Sequence, residues 1–148
     1  MNIVVDASIT LALFVKLPYS DAAENAFRSW RRQGDRLYAP GLWPVEIASA
    51  LRKTVSVGQI TSDYARLILA GLENRQVEII HPDTRLLDLS YLWAERISQR
   101  VTYDSQYLAL AQTLQAVFWS ADHRLVSSLQ AMDIPWAHCI RSSLHPSK

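Results

Sequence analysis

Residues 3–8, Ile3-Val4-Val5-Asp6-Ala7-Ser8, decide which fold class this chain adopts. Three apolar residues run directly into an aspartate, and a short apolar run with a polar end is typical of a strand buried on both faces, as in a parallel sheet. From Ile9 onward the apolar residues take a helical spacing. Ligands of open α/β sheets bind outside the carboxyl ends of the strands, which is where Asp6 falls. We therefore expect Asp6 to be either a helix cap or one wall of a site.

The composition is that of an ordinary globular domain. The 148 residues are 49% hydrophobic and 20% charged, and the formal net charge of +1 favours neither an acidic nor a basic partner. This length predicts one domain, over residues 1–140, followed by a polar tail over residues 141–148. The single cysteine, Cys139, excludes an internal disulfide and a cysteine-based metal site. Since no signal peptide and no membrane-spanning run is evident, we expect a cytoplasmic protein with no membrane association.

Short apolar runs alternate with helical patterns along the rest of the chain. Strands are predicted at 37–40, 77–80 and 116–120, with a short edge strand at 134–137. Helices are predicted at 8–15, with Ser8 as the N-cap, at 20–32 and 42–57, at 104–115, and after caps near residues 61, 83 and 122. This alternation predicts an α/β fold: a central parallel sheet of four to five short strands with helices on both faces.

Four of the fourteen acidic residues do not resemble surface charges, because apolar or small residues surround them: Asp6, Glu46, Asp104 and Asp122. Taken singly, Asp104 and Asp122 are best interpreted as N-caps, and Glu46 as a solvated helix residue or a site residue with equal weight. Small residues on the same helix face as Glu46, including Ser49, leave room beside its carboxylate. In a parallel sheet all four positions can lie along one edge, which favours a shared site.

Four carboxylates packed together would repel one another, and a hard divalent cation would relieve that repulsion. Ligation by oxygen alone suits Mg²⁺ or Mn²⁺, whereas the four histidines are too scattered in sequence to form a zinc site. A carboxylate-held cation that retains water indicates phosphoryl chemistry. Ser8 and Ser120 stand close to Asp6 and Asp122 in sequence, so their hydroxyls can orient a carboxylate or a metal-bound water.

The sequence resembles the PIN-domain nucleases, specifically the small ribonuclease toxins of VapC type. The resemblance covers Asp6 to about Ile134 and rests on Ile3–Ser8, Pro44–Arg52, Thr102–Ala111 and Trp119–Leu125. Each stretch alone is weak evidence, but their order in a chain of this length is specific. The most distinctive is the Tyr-Asp-x-x-Tyr-Leu-Ala-Leu-Ala run that begins at Tyr103.

The resemblance implies a PIN fold and a metal site formed by Asp6, Glu46, Asp104 and Asp122, in which Asp6 and Asp104 are the most constant ligands. It implies RNA cleavage with Mg²⁺ or Mn²⁺, a homodimer, and an antitoxin protein as partner. Ser120 matches the family's serine or threonine two residues before the last aspartate. Ser49 departs from the asparagine that the family often has three residues after its helix glutamate; serine can still form a hydrogen bond, but it reaches less far.

Three further interpretations accompany this one. An apolar strip would be an antitoxin groove or, preferably for most of its residues, ordinary core; it consists of Leu11, Phe14, Val15, Leu17 and Tyr19. Arg52 and Lys53 would guide RNA phosphates or complement the end of their helix. Alternatives to the toxin are an RNA-processing PIN nuclease, an inactive RNA- or partner-binding module, and a phosphatase that uses Asp6 as nucleophile. The phosphatase is disfavoured because Ser8 stands where the haloacid-dehalogenase pattern has a second aspartate.

Overall fold

The structure, a computed structural model, describes residues 1–141. Its five strands are β1 (Asn2–Val5), β2 (Arg36–Pro40), β3 (Val77–Ile80), β4 (Val117–Ser120) and β5 (Ala137–Cys139). They form one sheet in the order β3-β2-β1-β4-β5, and each neighbouring pair is parallel. The predicted parallel sheet of four to five strands is therefore confirmed.

Seven α-helices and one 3₁₀ turn connect the strands within residues 1–141. The helices are α1 (Ala7–Leu11), α2 (Ser20–Gln33), α3 (Trp43–Ser56), α4 (Ser62–Ala70), α5 (Thr84–Arg96), α6 (Tyr103–Thr113) and α7 (His123–Ala131), and the turn spans Leu72–Arg75. Gly34 ends α2 with a φ of 71°, a left-handed conformation that glycine adopts without strain. No helix among these is both long enough and apolar enough to span a membrane.

Alternating side chains of the central strands build a core on each face of the sheet. Ile3 and Val5 point to the face covered by α1 and α2, where Phe27 and Trp30 are buried. Val4 and Phe118 point to the opposite face, which the remaining helices cover. Burial of β1 on both faces is what its unbroken apolar run predicted, and it leaves the polar residue after the strand at the edge of the sheet.

Three local predictions are wrong. The first short helix ends at Leu11 and its N-cap is Asp6, not Ser8, because the Asp6 side chain accepts a hydrogen bond from the Ser8 N–H. Asp104 is not an N-cap, because α6 already begins at Tyr103 and Asp104 lies in its first turn. The edge strand begins at Ala137, three residues later than predicted, because Pro135 has no N–H for strand pairing and stands in a turn. The predicted tail, apart from Arg141, lies outside the described residues.

Candidate active site

The carboxyl ends of the parallel strands meet at one edge of the sheet, and the four predicted acidic residues lie there. Asp6 directly follows β1, and Asp122 follows β4 after one residue. Glu46 is in the first turn of α3, the helix that follows β2, and Asp104 is in the first turn of α6. Each residue thus owes its place to the turn that leads from the sheet into a helix, or to a helix that starts at this edge.

Asp6 lies at the centre of the hydrogen bonding at this edge. It accepts from the Ser8 backbone N–H at 3.3 Å, from the Ser8 hydroxyl at 2.9 Å and from the Ser120 hydroxyl. Burial raises the pKa of Asp6, and the negative charge of Asp104 raises it further, whereas the hydrogen bonds from Ser120 and Ser8 lower it. The three donors therefore offset part of the cost of holding a carboxylate in a poorly solvated place.

Glu46 is held by a buried tyrosine on the neighbouring helix. The Tyr107 hydroxyl donates a hydrogen bond to Glu46 Oε2, and Tyr107 is only 1% exposed. Burial raises the pKa of Glu46 to about 7, the charges of Asp6 and Asp104 add to the rise, and the Tyr107 hydrogen bond opposes it. Burial, helped by the charges of Asp6 and Glu46, also raises the pKa of Tyr107, so this hydroxyl stays a neutral donor.

Asp104 completes a set of three carboxylates that act on one another through their charges. Its Oδ2 accepts a hydrogen bond of 2.7 Å from the side-chain amide of Gln99, in the loop between α5 and α6. Its negative charge contributes to the raised pKa of both Asp6 and Glu46. In residues 1–141 the ion pairs lie elsewhere, between the Met1 amino group and Asp35 and between Lys16 and Asp21.

Asp122 differs from the other three because it is exposed and serves as the N-cap of α7. Its Oδ1 accepts from the backbone N–H groups of Arg124, at 2.9 Å, and Leu125, at 3.0 Å. A single serine joins it to Asp6: the Ser120 hydroxyl donates to Asp6 and accepts from the Asp122 N–H at 3.0 Å. The predicted helix cap at Asp122 is confirmed.

Two clefts open beside the carboxylates. The first, about 690 Å³, is lined by Ser8, Tyr19, Asp122, His123, Arg124 and Arg141, and we call it the basic cleft. The second, about 460 Å³, is lined by Glu46, Ser49, Lys53, Tyr103 and apolar residues of α3, and we call it the Glu46 cleft. Lys53, but not Arg52, lies along the latter, as does the predicted site residue Ser49.

Comparisons with known proteins agree on one fold. No family model matches the chain. Ribonuclease VapC3 of Pyrobaculum aerophilum is 29% identical over 136 residues, which are 91% of this chain and the whole of that protein. The crystal structure of PAE2754 from the same organism has a TM-score of 0.69 at 21% identity, over 97% of this chain and 87% of that one.

Two further solved structures are similar over most of their length. A toxin–antitoxin complex from Klebsiella pneumoniae has a TM-score of 0.65 at 15% identity, covering 93% of this chain and 96% of that one. The sarcin–ricin loop cleaving toxin VapC20 of Mycobacterium tuberculosis has a TM-score of 0.60 at 17% identity, covering 78% and 85%. The chain has the PIN-domain fold of the VapC-type proteins. The resemblance found in the sequence is thereby confirmed.

The carboxylate oxygens at this PIN-type edge are the ligands that a hard cation prefers, but the side chains do not converge on one position where a cation could bind. Within residues 1–141 no three acidic, histidine or cysteine side chains form a group that would hold a metal ion. Glu46 and Asp104 are each engaged by a neutral donor, Tyr107 and Gln99 respectively. The donors are nevertheless all oxygen, and the charges of Asp6, Glu46 and Asp104 act on one another without a cationic partner in the described residues. A divalent cation fits this chemistry.

Three residues at the PIN-type edge were missed as site residues from the sequence, Tyr107, Gln99 and Arg141, and Tyr19 was predicted only as part of an apolar strip. Tyr107 lies in the most distinctive motif, but its helical spacing indicated only a core residue, which it also is. No sequence signal pointed to Gln99, which lies between two predicted helices, or to Arg141, which is the first residue of the predicted polar tail. The strip from Leu11 to Tyr19 is largely core: Val15 is buried, and Leu11, Phe14 and Leu17 pack against the buried residues. Tyr19, the last residue of this strip, lines the basic cleft.

Proposed function

We propose that this chain is a metal-dependent endoribonuclease whose site consists of Asp6, Glu46, Asp104 and Asp122. The observation that carries the proposal is the set of three carboxylates at the carboxyl edge of a PIN-type sheet, each within reach of the others' charge. A fold does not keep such repulsion for its own stability, because burying like charges lowers the free energy of unfolding. A functional site gives this arrangement a reason.

In this proposal the protein's own residues hold and orient the carboxylates. Ser8 and Ser120 fix Asp6, Tyr107 orients Glu46, and Gln99 orients Asp104. Asp6, Glu46 and Asp104 would hold Mg²⁺ or Mn²⁺ through their carboxylate oxygens, and Asp122 is connected to Asp6 through the Ser120 hydroxyl. When bound, the cation lowers the pKa of its water and neutralises charge on the phosphate oxygens. The two open clefts, one lined by Asp122 and the other by Glu46, leave these carboxylates accessible to a polymer strand.

Ribonuclease is in the name of the protein that is 29% identical to this chain, and this supports RNA as the substrate. The similar structures include the toxin–antitoxin complex from Klebsiella pneumoniae and VapBC-1 of nontypeable Haemophilus influenzae, the latter at a TM-score of 0.62 and 15% identity, covering 95% of this chain and 98% of that one. They support a toxin role with an antitoxin partner. We further propose a homodimer that acts in the cytoplasm, to be tested by light scattering on the purified chain and by cell fractionation.

Cleavage of RNA by the purified full chain tests the proposal. We expect cleavage of an RNA oligonucleotide with Mn²⁺ or Mg²⁺, none with excess EDTA, and no cleavage of the DNA oligonucleotide of the same sequence. The Asp104→Asn variant, purified in the same way, controls for contaminating nucleases, because a contaminant would persist in it. Cleavage that is equal in EDTA, or equal in the variant, would contradict the proposed site.

A second candidate function is an inactive RNA-binding module, and one observation favours it: no metal-holding group is assembled within residues 1–141. Such a module would bind the oligonucleotide in EDTA and in Mn²⁺ with equal affinity and would not cleave it. An RNA-processing nuclease without an antitoxin remains the alternative to the toxin. It predicts that expression of the chain alone does not arrest cell growth, whereas a toxin arrests growth unless its antitoxin is co-expressed.

A further inference from the structure

The basic cleft carries two arginines that the proposed metal site does not use. Arg124 lies in the first turn of α7 and Arg141 follows β5, so the two come from different elements but line the same cleft. Neither takes part in an ion pair within residues 1–141. The acidic side chain that lines this cleft, Asp122, has its Oδ1 engaged by two N–H groups of α7. The cleft therefore has a net positive charge.

Tyr19 marks the boundary between this positive charge and the carboxylates. Its ring lies under the guanidinium of Arg141, with 5.9 Å between the guanidinium carbon and the ring centroid. Its hydroxyl lies 3.5 Å from the carbonyl oxygen of Ser8, the residue whose side chain donates to Asp6. Burial raises the pKa of Tyr19, the charge of Asp6 raises it further and the charge of Arg141 opposes the rise, so both charges reach the same phenol. The acidic site and the basic cleft are thus immediate neighbours.

This juxtaposition matches the spacing of charges that an RNA strand presents. Each nucleotide carries one phosphate, so a strand with one phosphate at Asp6 brings another phosphate alongside the site. Arginine suits that second phosphate because its planar fork donates two parallel hydrogen bonds to phosphate oxygens. Carboxylates alone would repel the neighbouring phosphate, whereas a basic cleft next to them offsets that repulsion.

We propose that Arg124 and Arg141 form a phosphate-binding subsite for the RNA nucleotide next to the one that is cleaved. This inference rests on the proposed ribonuclease function and adds to it the direction in which the strand leaves the carboxylates, over Tyr19 and along α7. The contact is made to the backbone and not to a base, so it strengthens binding of RNA strands of any sequence.

A cluster of arginines elsewhere on the molecule offers a control of equal charge. Arg31 and Arg32, near the end of α2, line a third cleft together with Arg28 and Arg75. Arg31 lies eleven residues after Ser20, which is about 16 Å along the helix axis and away from the carboxyl edge of the sheet. Removing two arginines there changes the net charge of the protein equally but leaves the basic cleft intact.

Binding of a fluorescent single-stranded RNA, measured by anisotropy at several salt concentrations, tests the subsite. The full chain carries Asp6→Asn in every case, so that the RNA is not cleaved during the measurement. We expect Arg124→Ala with Arg141→Ala to weaken binding roughly tenfold or more, because charge-assisted hydrogen bonds to phosphate disappear. The slope of log affinity against log salt falls by about 0.7 for each phosphate that the protein no longer neutralises. Arg31→Ala with Arg32→Ala should change neither quantity by a comparable amount.

Replacing both arginines of the subsite with lysine separates the charge from the hydrogen-bonding fork. The double lysine variant should keep the salt slope, because both positive charges remain, and lose part of the affinity. With Asp6 restored, the double alanine variant should raise the KM for RNA and leave kcat nearly unchanged, as expected when an interaction made equally in ground and transition states is removed. A fall in kcat alone would contradict a phosphate subsite.

The outcomes distinguish this inference from the function on which it rests. If the wild-type chain neither binds nor cleaves RNA, the proposed function fails and the subsite fails with it. If the wild-type chain cleaves RNA but the two double alanine variants weaken binding equally, the ribonuclease stands and the subsite is overturned. If only the binding of an acidic partner protein weakens in the Arg124 and Arg141 variant, the cleft binds that partner and not RNA.

Discussion

Asp6 and Asp122 begin alike and end in different surroundings. Each follows a parallel strand at the carboxyl edge of the sheet, and each is the N-cap of the next helix. Asp6 is half-buried, receives two hydroxyl donors and is close enough to Asp104 for its pKa to rise with that charge. Asp122 is exposed, and two backbone N–H groups of α7 occupy its Oδ1.

The difference shows that a position at the end of a strand does not by itself raise the pKa of a carboxylate; burial and neighbouring charges are also needed. β1 is the central strand of the sheet, with strands paired on both sides, so the residue after it is surrounded by other chain turns. Asp122 lies one residue further from its strand and projects at the start of a helix facing solvent. Burial next to other carboxylates makes Asp6 costly to ionise, whereas the helix start makes Asp122 stabilising.

The largest expected effect is a difference in RNA cleavage between the Asp6 and Asp122 variants. Asp6→Asn should lower Mn²⁺-dependent RNA cleavage roughly a thousandfold, equivalent to about 4 kcal/mol of transition-state stabilisation, because the variant lacks the most enclosed carboxylate of the site. Asp122→Asn, which keeps a side-chain oxygen for the helix cap, should lower it only roughly tenfold. Initial rates at fixed Mn²⁺ measure both, and equal losses in the two variants would break the distinction between them.

The second expected effect is a dependence of the free energy of unfolding on pH, caused by the half-buried Glu46. Because the pKa of Glu46 is raised to about 7 in the folded chain, the folded state binds more protons than the unfolded state between pH 4.5 and 7. The free energy of unfolding of the metal-free chain should therefore fall as pH rises through this window, by roughly 1–3 kcal/mol. Urea unfolding in EDTA at several pH values measures it.

Two variants test whether Glu46 causes the fall in the free energy of unfolding as pH rises. Glu46→Gln removes the titrating group but retains an acceptor for Tyr107, so the fall with pH should flatten. Asp122→Asn should leave it unchanged. The same fall in the Glu46→Gln chain would assign the pH dependence to another group.

A third effect concerns the metal and the repulsion it would relieve. Asp104→Asn should raise the free energy of unfolding in EDTA, because it removes the charge that acts on Asp6 and Glu46. In the wild-type chain, Mg²⁺ at ten times its Kd should add about 1.4 kcal/mol by preferential binding to the folded state. The Asp104→Asn chain should lose that gain, and Asp88→Asn on the exposed face of α5 should retain it. Thermal unfolding that is unaffected by saturating Mg²⁺ would argue against the metal site.

The smallest effect tests the helix-capping role of Asp122. Asp122→Ala should lower the free energy of unfolding by about 1 kcal/mol, because the N–H groups of Arg124 and Leu125 lose their acceptor. Asp122→Asn should cost only a few tenths, since asparagine is an equally favoured N-cap. Chemical unfolding at pH 7 in EDTA distinguishes them, and a stable alanine variant would mean that solvent replaces the cap.

Much of the fold could be predicted because its signals are local. Each of these signals depends only on a few neighbouring residues. They are the apolar run before Asp6, the glycine after α2, and the threonine and aspartate caps of α4, α5 and α7. The cap of α1 was assigned to Ser8, although Asp6 performs it, because both residues have suitable side chains and only the backbone conformation selects between them. The late start of β5 depends on a turn around Pro135 whose length local pattern did not reveal.

The sequence by itself determined the order of strands and helices, the double burial of β1 and the presence of acidic residues at the ends of elements. The tertiary structure alone decided which of those residues interact. Asp6, Glu46 and Asp104 interact through their charges, whereas Asp122 is connected to Asp6 by hydrogen bonds through Ser120. It also brought Tyr107 to Glu46 across 61 positions of sequence and Arg141 to Tyr19. Burial and electrostatic coupling depend on distances between elements, and those distances are set by packing, which no short stretch of sequence contains.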